Sequence, residues 1–156
     1  MNNPMFGQRT ALVIGCGKQK IWKRHPFLGP VAARDAYTGP LFRASRRYAE
    51  TFYPNDWFVL SAHLGLLPPT TPMTDYDATF GQKSADIITV ATLRHQCEAF
   101  LSGYERVVSL AGRLYNTQLL QALQNGQILV APLTSFGLFE RMRWLKAAVE
   151  GNINQA

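Results

Sequence analysis

Hydrophobic residues are concentrated in four short, nearly continuous runs that are separated by longer segments of mixed polarity. The runs cover residues 11–15, 57–61, 106–110 and 127–131 and are rich in β-branched side chains. Strands that are buried on both faces of a parallel sheet show this pattern. We therefore predict four central strands at these positions.

Amphipathic segments with helical spacing lie between and after the four runs. The predicted helices cover, in chain order, residues 40–49, 87–101, 116–124 and 139–149. Pro40 suits a first helical turn, Ser84 is the predicted cap of the second helix, and Asn116 or Thr117 is predicted to open the third. Strands that alternate with helices, without tight hairpin signals, predict an α/β fold with three layers, α/β/α, and a mainly parallel four-stranded sheet.

Two connections are longer than the turns of a typical α/β fold. Residues 16–39 follow the first predicted strand and residues 62–83 follow the second, and neither shows the pattern of a regular element. Long connections in a small domain are usually functional or mobile. Both leave the carboxyl end of a strand, where open α/β sheets place their ligand crevice. The functional site is therefore predicted at this edge of the sheet.

Length and composition narrow the classes of protein. The length of 156 residues predicts one domain over residues 1–156, with a frayed tail over residues 151–156. The composition, 47% hydrophobic and 17% charged, excludes a disordered chain, a collagen and a coiled coil. No apolar run reaches the roughly 18 residues of a membrane span. The N-terminal residues lack the features of a signal peptide, and two cysteines cannot form a disulfide framework, so we expect a cytoplasmic protein.

The positive charge is concentrated in the first third of the chain. Residues 1–50 hold nine Lys and Arg against two acidic residues, a net charge of +7, while residues 51–156 hold seven against eight, a net charge of −1. Such clustering is compatible with a solvated basic face. It is also the pattern of a patch that binds phosphate groups, either of a free nucleotide or of a nucleic acid.

The sequence GCGKQK at residues 15–20 follows the first predicted strand. Glycines on both sides of one residue permit a sharp turn and close approach of the backbone to an anion, which the two lysines can also reach. The motif is neither a Walker A loop nor a dinucleotide fingerprint, so we infer neither ATP nor NAD. Cys16 is open to two interpretations, a nucleophile or a small residue that packs under the loop.

Polar side chains follow the other three predicted strands as well. After the second strand come Ser61, His63 and Gly65, and then the DYD sequence at residues 75–77; carboxylates beside a basic pocket can act as general bases or stabilise a cationic transition state. Gly, Ser and Thr residues near basic or aromatic side chains also follow the third and fourth strands. Phosphates need amides, hydroxyls and cations, and bases need aromatic faces, so the set indicates a nucleotide-like ligand.

The residues that carry these predictions fall into two groups. Asp75, Asp77 and His63 are the candidate catalytic residues. The candidates for phosphate or nucleotide binding are Cys16, Gly17, Lys18, Lys20, Tyr37, Ser61, Gly65, Tyr76, Gly112, Arg113, Thr134 and Ser135. No metal site is predicted, because the three histidines lie far apart, Cys97 falls on the apolar face of a helix and His95 on its surface. No cofactor is predicted.

Four segments together resemble a bacterial and phage domain family of unassigned function. They are CGKQK at residues 16–20, DAYTGPLF at 35–42, LSAHLGLLP at 60–68 and DYD at 75–77. The resemblance is good over residues 10–80 and looser to the end of the chain. It implies membership of a family without implying an activity.

Two more distant resemblances do imply chemistry. The first is to a C-terminal region of archaeosine synthase, a tRNA-modifying enzyme. That region is similar because it also contains a loop with Cys and Lys, a small residue followed by Gly-Leu-Val/Leu-Pro, and a Tyr-Asp pair. The order of elements resembles the uracil-DNA glycosylase fold, and residues 132–139 are similar to its last motif. Ala131 stands where that motif has histidine, and the first loop lacks its aspartate-proline, so the likeness is one of fold.

The resulting hypothesis is an enzyme, similar to an N-glycosylase, that acts on a nucleotide or nucleic acid. It would cleave or exchange the N-glycosidic bond of an ordinary or modified base. Tyr37 would stack on or orient the base, and His63 would protonate it as it leaves. Asp75 or Asp77 would stabilise the oxocarbenium-like sugar or activate water. Lys18, Lys20 and Arg113 would hold phosphate, and a base in a duplex would first be flipped out.

Two alternatives remain open at this point. A non-catalytic module that binds nucleic acid or a nucleotide would need Lys18 and Lys20 but not Asp75 and Asp77, since carboxylates repel phosphate. A phosphoester hydrolase is less favoured, because no carboxylate cluster for Mg²⁺ is visible.

Overall fold

The computed structural model describes residues 9–81 and 86–151. The strands are β1 Thr10–Gly15, β2 Val31–Ala32, β3 Trp57–Ser61, β4 Gly65–Leu67, β5 Pro72–Met73, β6 Arg106–Ser109 and β7 Ile128–Val130. The helices are α1 Ala33–Ala36, α2 Pro40–Phe52, α3 Val90–Leu101, α4 Arg113–Ala122 and α5 Leu138–Val149, with a 3-10 helix at Ile21–Lys23. No helix within these ranges is both long and apolar enough to cross a lipid bilayer.

A five-stranded sheet in the order β4-β3-β1-β6-β7 forms the centre of the fold. Strands β3, β1, β6 and β7 are parallel and coincide with the four predicted runs. The prediction of four strands is wrong, because β4 adds a fifth, antiparallel to β3, with Ser61 opposite Gly65. Gly65 has a φ of 79°, a left-handed conformation that glycine adopts without steric cost. The hairpin that the sequence did not indicate turns at this residue.

Helices cover both faces of the sheet, as the predicted three layers require. Along β1, Leu12 and Ile14 pack in one hydrophobic core with residues of α2 and α5. Ala11 and Val13 point the other way and pack in a second core with residues of α3 and α4. Because successive side chains of a strand point to opposite faces, an apolar run without alternation needs a core on each side. The α/β class and the mainly parallel sheet are therefore confirmed.

The starts of helices α3 and α4 differ from the prediction. The second long helix begins at Val90, where the Thr89 side chain accepts a hydrogen bond from the Thr92 amide. The predicted cap Ser84 lies outside the described residues. The preceding Ile88 is held by its amide, which donates to the Ala62 carbonyl, so residues 87–89 stay outside the helix.

Helix α4 begins three or four residues before the predicted start, directly after Gly112. Asn116 is therefore inside the helix and does not cap it. Its amide oxygen accepts a hydrogen bond from Ser109, and its nitrogen donates to the Ala111 carbonyl at 3.1 Å. The buried end of β6 thus needs this side chain as a partner, which overrides its usual preference for a cap.

The two long connections contain regular elements that the sequence did not indicate. The first holds the 3-10 helix, β2 and α1, and the second holds β4 and β5. Strands β2 and β5 pair with each other, with Val31 opposite Met73. The connections therefore form one layer over the carboxyl edge of β1 and β3. The predicted fraying of the tail concerns residues that, beyond 151, lie outside the described ranges.

Candidate functional site

The first connection closes on itself beside the end of β1. The Cys16 amide donates to the Leu60 carbonyl at 3.0 Å, which places Cys16 at the edge between β1 and β3. Lys20 forms an isolated antiparallel bridge with Tyr37, and the Thr38 amide donates to the Gln19 carbonyl at 3.0 Å. The two ends of the loop that follows the GCGKQK motif are thereby brought together next to the strand ends.

Three hydroxyl groups form a chain across the two connections. Ser61 donates to the Tyr76 hydroxyl at 2.8 Å, and the Tyr76 hydroxyl lies 2.6 Å from that of Tyr37. Ser61 in turn accepts hydrogen bonds from the amides of His63 and Leu64. Since a single bond between the two phenols uses only one of their two protons, one phenolic O–H remains able to donate elsewhere.

Cys16 lies within this aromatic surrounding. Its sulfur is 3.2 Å from the Tyr115 hydroxyl, and its proximity is the second cause, after burial, that raises the pKa of Tyr37, Tyr76 and Tyr115 above the ordinary value for a phenol. The three phenols therefore stay protonated at neutral pH and can act as hydrogen-bond donors. We call Cys16, Tyr37, Tyr76 and Tyr115 the tyrosine–cysteine cluster.

Lys20 and His63 both contact Tyr76. The Lys20 ammonium donates to the Tyr76 carbonyl at 2.8 Å and lies 4.4 Å from the centre of its ring. The His63 ring is stacked on the Tyr76 ring with 5.2 Å between centroids, and His63 Nδ1 is hydrogen-bonded to the Asp86 carbonyl. Tyr76 is thus the residue that links the first motif to the second.

Of the two candidate carboxylates, the structure joins one to this arrangement. Asp75 accepts a hydrogen bond from the Tyr76 amide at 2.9 Å, and its Oδ1 lies 4.0 Å from the Lys20 ammonium. Asp77 is exposed and makes no hydrogen bond or ion pair to any residue within 9–81 or 86–151. Asp75, Lys20 and His63 therefore surround Tyr76, with Asp77 beside them in sequence only.

A cavity of about 570 Å³ opens next to Lys20, and we call it the basic cavity. Its lining residues are Gln19, Lys20, Ile21, Lys23, Arg24, His25, Thr38 and Arg43. Among the described residues, this lining includes four cations, one histidine and no carboxylate. Lys20 belongs both to this lining and to the surroundings of Tyr76, so the basic cavity and the tyrosine–cysteine cluster are adjacent.

Three of the predicted binding residues, Tyr37, Ser61 and Gly65, are buried. Tyr37 is 3% exposed and packs on Phe42, so the predicted stacking of its ring on a base is not possible in this conformation. Ser61 is fully buried and orients Tyr76. A Cβ on Gly65 would collide with Gln96 and Ile88, so this glycine is required for the hairpin. Tyr37 remains able to act through its hydroxyl.

The ends of β6 and β7 contribute differently from the prediction. Gly112 directly precedes α4, and Thr134 donates to the Ala131 carbonyl at 3.0 Å and accepts a long hydrogen bond from Asn116. Arg113 and Ser135 are exposed, and no contact within the described ranges joins them to the tyrosine–cysteine cluster. Gly17 and Lys18 lie on the surface of the loop beside Cys16.

Sequence reasoning missed Tyr115 and Arg43 as site residues. The ends of β1 and β6 are close together, since a Cβ added to Gly15 would lie 3.2 Å from the Cβ of Ala111. Tyr115, on the first turn of α4, can therefore reach Cys16. The position of Tyr115 just after a predicted strand was the available signal. Arg43 lies on the first turn of α2, and only the charge excess of residues 1–50 pointed to it.

Cys97 and His95 lie where the sequence predicted them. Cys97 is fully buried, as predicted, and burial raises the pKa of its thiol to about 11. His95 is exposed on α3, also as predicted. Within the part of the chain that the structure describes, no three His, Cys, Asp or Glu residues are grouped so that they could hold a metal ion.

Comparison with known proteins identifies similar chains of unassigned activity. A family described as a family of unknown function, DUF6884, matches residues 11–147. The uncharacterized protein YfjM of Bacillus subtilis (strain 168) is 40% identical over 141 residues, which cover 88% of this chain and 93% of the relative. The predicted resemblance to an uncharacterised bacterial family is confirmed by these matches.

Proposed function

The chain belongs to this family of unknown function, and from the geometry of its site we propose that it is an enzyme that acts on a nucleotide or nucleic acid and cleaves or exchanges an N-glycosidic bond. One juxtaposition carries the proposal. Lys20 lines the basic cavity, and its ammonium lies over Tyr76 and 4.0 Å from the Asp75 carboxylate. A site suited to phosphate is therefore next to a site suited to sugar chemistry.

The basic cavity has the size and charge that a nucleotide phosphate requires. Its volume of about 570 Å³ is within the usual range for pockets that bind small molecules, about 300–1,000 Å³. Lys23, Arg24 and Arg43 supply cations, and guanidinium groups can bind phosphate oxygens in pairs. Phosphate bound here would leave the sugar and base to extend towards Tyr76.

Asp75 is the carboxylate best placed for chemistry at the sugar. Breaking an N-glycosidic bond makes the sugar cationic only as the bond lengthens, so a nearby carboxylate stabilises the transition state more than the bound substrate. The Tyr76 amide fixes the orientation of Asp75. Asp77 remains a second candidate, because it is exposed two residues further along the same segment.

His63 and the phenols supply protons for the departing base. The bond between His63 Nδ1 and the Asp86 carbonyl requires a proton on Nδ1, which leaves Nε2 to donate only in the imidazolium form. The phenolic proton that the Tyr37–Tyr76 bond leaves free is a further donor. General acid catalysis of this kind contributes roughly 10²–10⁴-fold to a rate.

The proposal extends to the fold. The α/β/α layers, the site at the carboxyl edge and the Pro-Leu-Thr-Ser sequence after β7 (residues 132–135) support a likeness to the uracil-DNA glycosylases. Ala131 departs from the histidine of that motif, so a different base or a different proton donor is expected. A likeness to archaeosine synthase would similarly point to a modified base.

A second candidate function is a binding module without catalysis. The observation that favours it is the lining of the basic cavity, which contains cations but no carboxylate. Such a lining suits recognition of a nucleotide or of a nucleic-acid backbone. Carboxylates near Lys20 would then serve to orient that lysine.

Release of free base is the measurement that separates the two functions. Nucleotides, DNA and RNA with ordinary and modified bases would be incubated with the protein and with its Asp75→Asn and Asp77→Asn variants. We expect at least one variant to lose about 10²-fold or more in rate while substrate binding is retained. Glu98→Gln, an exposed carboxylate change on α3, is the matched control. If no substrate releases base, the binding module replaces the enzyme. If base is released and both Asn variants keep the parent rate, the catalytic roles of Asp75 and Asp77 are wrong.

A further inference from the structure

A second concave surface lies between α2 and α5, and we call it the α2–α5 groove. It has a volume of about 470 Å³. Its floor is apolar and consists of Ala44, Met142, Leu145 and Val149, and its rim consists of Arg43, Arg47, Arg143 and Lys146. None of the described acidic residues lines it. The groove therefore presents four cations around an apolar surface.

The four rim cations are not neutralised within the described part of the chain. Arg46, on the same helix α2, contrasts with them: it forms ion pairs at 2.8 Å with Asp35 and with Glu50. The rim residues are all exposed, and the residues within 9–81 and 86–151 provide them with no ion pair. Arg43 and Arg47 are four residues apart on one helix face, where like charges repel. A bound polyanion would relieve this repulsion.

The groove is continuous with the basic cavity through one residue. Arg43 lines both of them, so the basic surface extends from Lys20 and Lys23 across Arg43 to α5. The basic cavity alone, at about 570 Å³, already has the usual volume of a small-molecule pocket, so the groove adds binding surface beyond it. Its cations come from both ends of the chain, although the sequence placed the charge excess only in residues 1–50.

We propose that the α2–α5 groove binds the sugar–phosphate backbone of a polynucleotide strand that continues from the nucleotide in the basic cavity. This inference rests on the proposed function, since it names a polymer as the substrate class. The rim cations contact phosphates, as in the positively charged grooves that follow the backbone of a single strand, and the apolar floor contacts the sugars. An acidic amphipathic helix of a partner protein would match the same charge pattern, but it would not account for the continuity with the basic cavity.

The test compares how one triple variant binds a polymer and a monomer. Arg47→Gln, Arg143→Gln and Lys146→Gln are combined, and Arg43 is kept because it also lines the basic cavity. The polymers are labelled nucleic acids of about 12 nucleotides: single-stranded DNA, single-stranded RNA and a duplex. The monomer is AMP. Binding of each is measured from low to high salt. We expect about tenfold weaker strand binding at low salt, and a salt slope smaller by about 2, since each single-strand phosphate contact contributes about 0.7. AMP binding is expected to be unchanged.

Controls make the result specific to the groove. Arg47→Gln alone is compared with Arg94→Gln, an exposed arginine on α3, which removes the same charge from the opposite helix layer. Thermal unfolding confirms that each variant is folded. Only the Arg47 change is expected to weaken strand binding.

Three outcomes would overturn the inference. The first is an unchanged strand affinity and salt slope in the triple variant. The second is an equal loss of affinity for AMP and for the strand. The third is an effect of Arg94→Gln on strand binding that equals the effect of Arg47→Gln. If the triple variant binds strands normally but loses binding to an acidic amphipathic peptide, the groove is a protein-docking surface. If no base is released from any substrate but strand binding depends on the groove, the enzyme proposal fails and this inference stands.

Discussion

The hydroxyl of Tyr37 lies 2.6 Å from the hydroxyl of Tyr76, although 39 positions separate the two residues in the chain. This bond joins the first connection to the second and ends the chain of hydroxyls that begins at Ser61. Removing the Tyr76 hydroxyl leaves both Ser61 and Tyr37 without their partner. Removing the Tyr37 hydroxyl breaks a single bond.

Tyr76→Phe is therefore expected to lower the free energy of unfolding by about 1–3 kcal/mol, and Tyr37→Phe by less, because unsatisfied buried hydroxyls are costly. Urea unfolding measures both. Tyr53→Phe is the control, since the Tyr53 hydroxyl has no hydrogen bond to any residue in the described ranges. Equal effects of the three substitutions would contradict a role for the hydroxyl chain.

The tyrosines of this protein are expected to ionise late. Burial is the main cause that raises the pKa of all six, to about 12 for Tyr48 and Tyr104. Because these folded-state values exceed the unfolded value of about 10, the associated stability is complete below about pH 10 and is lost as pH rises through the folded-state values. At about pH 11, where an exposed tyrosine is mostly ionised, the near-ultraviolet absorbance of tyrosinate should be less than half of that in denaturant. Equal absorbance in the two conditions, with the fold intact, would show that the phenols are not buried as described.

Gly65→Ala is expected to destabilise the hairpin at the edge of the sheet. The left-handed φ of 79° at Gly65 costs a residue with a Cβ about 1–2 kcal/mol, and that Cβ would also displace Gln96. The Gln96 side chain would then lose its hydrogen bonds to Leu64 and Leu66. Thermal unfolding should show a clear loss of stability. Gly17→Ala, where an added Cβ meets nothing within 4 Å, should leave stability nearly unchanged.

The two cysteines are expected to react at very different rates with iodoacetamide. Cys97 is fully buried, and burial raises its pKa to about 11, so its thiolate is scarce at neutral pH. Cys16 is partly exposed at the carboxyl edge of the sheet. Peptide mapping after brief alkylation of the folded protein should find the label on Cys16, with Cys97 labelled only in denaturant. A folded Cys16→Ser variant that still takes up label rapidly would show that Cys97 is accessible.

The sequence by itself determined the class of fold and the edge at which the candidate residues lie. Four apolar runs without alternation can only be buried on both faces, so the parallel strands and the helices on each side of them follow from local composition. The GCGKQK and DYD segments follow adjacent strands, and the carboxyl ends of parallel strands meet at one edge. Lys20 and Asp75 were therefore predicted at the edge where the structure places them.

Only the tertiary structure decided which side chains meet there. The Tyr37–Tyr76 bond, the contact of Tyr115 with Cys16 and the continuity through Arg43 join residues from separate connections and helices. Strands of two or three residues, such as β2, β4 and β5, are too short to produce a hydrophobic period. Their positions depend on packing between distant segments and on one left-handed glycine, and for this reason no local pattern could have indicated them.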